Sequence, residues 1–478
     1  MTAQPMLLLD WPGQLTANAW TGEGAASGAL DDEARIWAVR NHFAGRPEYE
    51  LAAQKRADLE DWADPRVGWG LVLQDDPALS YPERARADDA PVAARRLAEA
   101  RSATGVPVVL RYNPDDDASL YRYYDDGSRH PLPITGEGVR GMGRGGLPYY
   151  LLLLGPPEGL PWELQFRLNP VCCTGRLDLD ENGLANYVNA ALCSWSGSGA
   201  KAGSPLLWTV QHEPGDITWL MRQSVGERVF KRWCHDPQIG KAARALRDED
   251  ATCAQLRSAL SEISPAVVVT TSHGMTGPLH DTAQMRSTLG RLIDASHEPL
   301  DPTSLLDSWS PDGVVWYALA CCSAGGSGRN QFEGLLSPQT RAARVVEAVS
   351  ALGATVTELP RVLLGASRPA RAFVGHVEPT FDWTLRRADS GLVTTDALVE
   401  ALYDEFFQVK PPPVGFALCR YFGQAATLRA LWAAEVQAVR RRDNARSASL
   451  LAGLAGIDRQ CTVILGDPAV APAALPRT

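Results

Sequence analysis

Two hydrophobic periods organise this chain. Tyr149–Leu154 is a short unbroken apolar run that ends in a turn at Gly155-Pro-Pro-Glu158. Such a run predicts a strand buried on both faces. Val171–Leu177, Leu206–Gln211, Ala266–Thr271, Val314–Ala320, Ala372–Val374 and Thr462–Leu465 repeat the pattern. Between them lie spans of helical length and amphipathic spacing: Asn182–Cys193, Lys241–Ile263, Thr340–Leu352 and the arginine-rich Gln424–Arg442. Strands separated by such spans predict an α/β fold with a mainly parallel sheet covered by helices. The first part of the chain is more mixed. It has a charged helical stretch at Ala87–Ser102, a strand-like run at Val106–Arg111, turns at Asp115–Asp117 and Asp125–Asp126, and a glycine-rich segment at 136–146.

The bulk properties narrow the function classes. A length of 478 residues predicts two or three domains. No run approaches the roughly 18 apolar residues of a membrane helix, and the start, Met1 to Leu15, lacks a basic lead and a small-residue cleavage site, so a membrane or secretory role is not expected. A net charge of −10 argues against direct nucleic-acid binding. Nine cysteines with no C-x-x-C pair and no Cys/His cluster at zinc spacing predict reduced thiols in a cytoplasm, with no metal or other cofactor.

Familiar nucleotide and hydrolase signatures fail on context. Gly136-Glu-Gly138-Val-Arg-Gly141 matches G-x-G-x-x-G but precedes a strand instead of following one, and reads as a loop. Gly197-Ser-Gly199-Ala-Lys201 lacks the glycine that should stand directly before the lysine of a phosphate loop. No G-x-S-x-G elbow is present.

Two apolar strands carry a more specific signal. One ends at Ser272-His273-Gly274, the next at Cys321-Cys322-Ser-Ala-Gly325. In parallel sheets, reactive groups gather at the carboxyl ends of neighbouring strands. A thiolate attacks, and a nearby imidazole gives a proton to the leaving amine. Adjacent glycines leave main-chain N–H groups free for an oxyanion. His273 and Cys322 stand 49 residues apart, close to the roughly 50 of caspases.

Strand–His–Gly followed by strand–Ala–Cys–x–x–Gly resembles the caspase–gingipain–CHAT group of cysteine peptidases. Tyr150-Leu-Leu-Leu-Leu-Gly155 with Pro161, then Thr174-Gly-Arg-Leu177, is similar to the non-catalytic subdomain of gingipains; Val463-Ile-Leu-Gly-Asp467-Pro468 is similar to their closing strand. The resemblance implies a caspase-hemoglobinase-like α/β fold preceded by a gingipain-like α/β subdomain. Its parts would be a regulatory or substrate-binding region at 1–145, the subdomain at 146–225 and a catalytic domain at 226–478. It implies a cysteine endopeptidase acting on a protein substrate, with His273 as general acid and Cys322 as nucleophile. The N–H groups of Gly274 and Cys322 would form the oxyanion hole. Requiring alanine directly before the nucleophile selects Cys321 instead. His376, which ends a strand, and the nearby Glu378 and Asp382 are candidates for a specificity pocket selecting Arg or Lys. Bacterial relatives act in antiviral defence or cell death, which implies an activating partner or a nucleotide messenger. The reading from a different class is a catalytically inactive caspase-like module that binds a nucleotide or a peptide.

Overall fold

The structure is a computed structural model. It describes residues 57–476 except 103–104, 136–137, 214, 388–389 and 441–446, together with 14–15 and 28–29. The chain divides into Met1–Ala57 and a compact unit, Asp58–Thr478. In the first, Gln14–Leu15 pairs antiparallel with Gly28–Ala29.

The larger unit is α/β, built on one central sheet flanked by helices. Its twelve strands are β1 (Trp69–Gln74), β2 (Val109–Tyr112), β3 (Ser119–Tyr123), β4 (Arg129–Pro133), β5 (Tyr150–Leu154), β6 (Cys173–Leu177), β7 (Leu206–Thr209), β8 (Arg244–Arg247), β9 (Val267–Thr271), β10 (Val315–Leu319), β13 (Ala372–His376) and β14 (Thr462–Leu465). A separate ribbon pairs β11 (Gly325–Ser327) with β12 (Ala354–Val356). Across the sheet the order is β8-β7-β9-β10-β13-β14-β6-β5-β1-β2-β3-β4. Neighbours are parallel except at β13/β14 and along the β2–β3–β4 edge. Direction therefore reverses between β13 and β14, and the carboxyl ends of β7, β9, β10 and β13 share one rim.

The central strands form because they can be buried on both sides. Every residue of β9, VVVTT, and of β10, VWYAL, is buried. Helices cover them and start at local caps: Asp180 accepts from Gly183 N, Thr252 from Gln255 N and Thr340 from Ala343 N.

Three expectations change. The predicted helix Lys241–Ile263 is instead a short turn, then β8, then a helix at Cys253–Ile263. The edge position of β8 explains this, since pairing with β7 outweighs helix propensity in a charged segment. The divisions at 145/146 and 225/226 separate no cores, because the sheet crosses both. Trp69 in β1 registers with Tyr150 in β5, and β7 packs against β9. The glycine-rich match begins at Gly136 and Glu137, outside the described residues; from Gly138 the chain forms a loop closed by Gly141 N–H donating to the Leu147 carbonyl.

Asp467, just past β14, ties that strand to β1 across the middle of the sheet. Its fully buried carboxylate accepts from Trp69 Nε1 at 3.0 Å and from Arg101 at 2.7 and 3.1 Å. The Gly-Asp-Pro ending thus joins the last strand to residues near the start of the unit.

Candidate active site

Three parallel neighbours, β7, β9 and β10, deliver the site. Thr271 registers with Leu319, and Ser272 N–H donates to the Leu319 carbonyl at 3.2 Å. Continuing that register sets His273 opposite Cys321, not Cys322. Gly274 packs directly on the cysteine backbone: a Cβ there would lie 1.9 Å from the Cys321 carbonyl oxygen. Only glycine permits that approach.

The two cysteines have different surroundings. Cys321 is partly exposed, and its sulfur accepts from Thr380 N–H at 3.3 Å. Burial pushes its thiol up to about 11, while the N–H groups of Thr380, Cys321 itself and Gly274 act in the opposite sense on the sulfur. Cys322 adopts a left-handed backbone, φ +53°, and is fully buried with Met285, Leu289, Val349 and Leu352. Burial holds that thiol far above its ordinary value. Its N–H donates to the Glu378 carbonyl at 2.9 Å and is not free for an oxyanion. An apolar, protonated thiol is poorly placed to attack, so the geometry does not favour Cys322 as nucleophile or as an oxyanion donor.

A partner for the histidine comes from the loop after β7. Asp216 caps the short helix Ile217–Met221: its Oδ1 accepts from Thr218 N–H at 2.8 Å and from the Thr218 hydroxyl. Its Oδ2 accepts from His273 Nε2 at 2.9 Å. Burial alone would raise this carboxyl, but the Thr218 bonds and then His273 outweigh it and hold it below the usual carboxylate value. With Nε2–H committed to Asp216, the nitrogen left for a thiol proton is Nδ1. His212 lies face to face with His273, ring centroids 5.3 Å apart, and His297 covers the other face of His212 at 4.2 Å. His212, Asp216 and His273 each offer a ligand atom within 4.8 Å of the others, the one metal-compatible group among the described residues.

The residues expected in a specificity pocket are placed differently. His376 is buried: its Nδ1–H donates to the Glu378 backbone carbonyl at 2.9 Å, and its Nε2 lies 2.6 Å from the Asp458 carbonyl oxygen and 3.3 Å from Asp458 Oδ1. Burial would lower this imidazole, but Asp458 outweighs it and raises it. Glu378 is fully buried, with Oε1 accepting from Ser327 N–H at 2.7 Å and Oε2 without a partner. Burial pushes its carboxyl up to about 7. Asp382 sits on the surface in an ion pair with Arg386 at 2.8 Å. The first two form a buried support behind the cysteine turn, and none of the three opens onto a shared pocket with the others.

Asp216 and His212 were not singled out in the sequence. The available signal was the strand Leu206–Gln211 ending directly in His212, with Asp216-Ile-Thr218 as a helix cap. All nine cysteines are free thiols. No helix among the described residues is long and apolar enough to cross a membrane. No protein-family model matches the chain, and no curated protein matches it.

Proposed function

We propose that the protein is a cysteine endopeptidase with Cys321 as nucleophile, His273 as proton carrier and Asp216 as the group that orients the histidine. The observation that carries this reading is the Asp216–His273 bond at 2.9 Å on the strand-end register that sets His273 opposite Cys321. Asp216 fixes the Nε2–H tautomer, so Nδ1 carries the lone pair. The Cys321 S–H proton passes to Nδ1 as sulfur bonds to the substrate carbonyl carbon. The carbonyl electron pair moves to oxygen, which the N–H groups of Gly274 and Cys321 would receive. The imidazolium then protonates the leaving amine as the C–N bond breaks. Water, deprotonated by His273, releases the acyl group and restores the thiol.

Burial raises the Cys321 thiol to about 11, so it attacks as His273 takes its proton, and an activating partner or messenger would act by opening the site around Cys321. A role in bacterial defence or cell death against a protein substrate fits control by such a signal. The same observation favours a second reading, a non-catalytic module of the same fold that binds a peptide or nucleotide.

A mixed peptide library read by mass spectrometry, with and without lysate of stressed cells, separates the two. Cuts abolished by Cys321→Ala and His273→Ala, weakened by Asp216→Asn and retained by Cys322→Ala support the peptidase. Absence of any cut, with Cys321 alkylated no faster than the other cysteines, supports the binding module.

A further inference from the structure

His212 has no part in the proton path above, yet its ring is held as a ligand would be. Its Nε2 lies 2.9 Å from the Asp294 carbonyl oxygen. A carbonyl only accepts, so Nε2 carries the proton and Nδ1 is a bare lone pair. A backbone carbonyl bonded to the far nitrogen fixes metal-binding histidines in this way. The carbonyl is itself immobilised, because the buried Asp294 carboxylate accepts from Cys253 N–H at 2.9 Å, Ser296 N–H at 2.8 Å and Glu298 N–H at 2.9 Å. On Asp216, Oδ1 is taken by Thr218 and Oδ2 faces His273.

We infer that His212, Asp216 and His273 form a binding site for a divalent transition-metal cation of the zinc type, and that its occupation shuts off Cys321. Two imidazole nitrogens and one carboxylate oxygen suit a borderline cation better than magnesium or calcium. Bonds of about 2.0–2.1 Å at tetrahedral angles put ligand atoms roughly 3.3 Å apart. One ligand atom from each residue lies within 4.8 Å of the other two; the His212 and His273 rings are parallel, so closing the site requires one ring to turn until both lone pairs point at the ion. All three residues are partly exposed, which leaves an entry path and room for a water as fourth ligand.

The shut-off rests on the peptidase reading and follows from one tautomer. Without metal, Nε2–H of His273 donates to Asp216, and Nδ1 accepts from the thiol. A cation takes the Nε2 lone pair. The ring proton then sits on Nδ1, which can no longer accept one. Binding moves one proton from Nε2 to Nδ1 and needs no redox step.

The test uses the full-length protein with buffered free Zn2+, followed by titration calorimetry and by alkylation of Cys321 with iodoacetamide. Wild type and Cys321→Ser should each bind one equivalent. His212→Gln, which keeps an N–H for the Asp294 carbonyl, should bind about 100-fold more weakly. Zinc should slow alkylation at least about 10-fold in wild type and leave His212→Gln unchanged. The Co2+ form of the wild type should show nitrogen and oxygen ligation without a thiolate charge-transfer band, a readout that needs no variant. Equal binding by His212→Gln, loss of binding in Cys321→Ser, or a thiolate band would overturn the site in favour of direct thiol capture. Both readouts are independent of peptide cleavage: a zinc-binding protein that cuts no peptide removes the peptidase reading and leaves the site standing.

Discussion

Gly274 and Cys321 share a contact so close that the smallest side chain cannot be inserted between them. A Cβ on Gly274 would meet the Cys321 carbonyl oxygen at 1.9 Å, and the carbonyl carbon at 2.8 Å. The turn after His273 is thus a template for the turn that presents the thiol. Gly274→Ala should cost about 1–3 kcal/mol of stability, the usual range for overpacking, and should abolish cleavage even where the protein remains folded. Urea denaturation beside a peptide-cleavage assay measures both.

The paired cysteines should part cleanly. Cys321→Ala should remove activity with a smaller loss of stability than a core substitution, because the residue is only partly buried. Cys322→Ala should keep activity but lose about 1 kcal/mol, since it leaves a small void among Met285, Leu289 and Val349. A Cys322→Ala protein as inactive as Cys321→Ala would refute the assignment.

Asp216→Asn should lower kcat by roughly 10²–10⁴-fold with a smaller change in KM, since it spoils the histidine tautomer rather than substrate binding. The sign of its pH effect follows from its lowered value in the fold. Its contribution to stability is present above the unfolded carboxylate value of about 4 and is lost as pH falls through the lower, folded value. The wild-type and Asn proteins should therefore converge in stability only in acid, as thermal melts across pH would show.

Glu378 behaves in the opposite sense. Its folded value is raised to about 7, so the folded state binds more protons than the unfolded state between about 4.5 and 7, and stability falls as pH rises through that window. The loss amounts to about 3 kcal/mol for a fully buried carboxyl shifted by that much. Glu378→Gln should flatten that part of the profile. Denaturant midpoints at pH 5 and pH 8 would check it, and an unchanged slope would locate the charge elsewhere.

Much of the framework was legible because parallel strands write themselves as apolar runs. Tyr149–Leu154 and Thr462–Leu465 match β5 and β14 to within a residue. The edge strands β4 and β8, and β3 beside β4, were not legible, since they carry polar and proline residues and owe their form to a neighbour's backbone. His273 was visible as a strand-end residue. The choice between Cys321 and Cys322 depended on register and on one left-handed residue, neither of which glycine spacing reveals. Asp216 escaped for a topological reason: its strand, β7, precedes β9 in the chain by a long excursion through β8, so it was assigned to the preceding subdomain.

Asp467 makes the integrity of the sheet depend on the stretch before residue 145. Its carboxylate has no water to fall back on, and its partners Arg101 and Trp69 come from the region before residue 145. Cutting that region away would strip the edge of β5 and strand a buried negative charge. A cut that released the strands between residues 69 and 133 would take apart the sheet itself, so the fold survives only while that stretch stays attached.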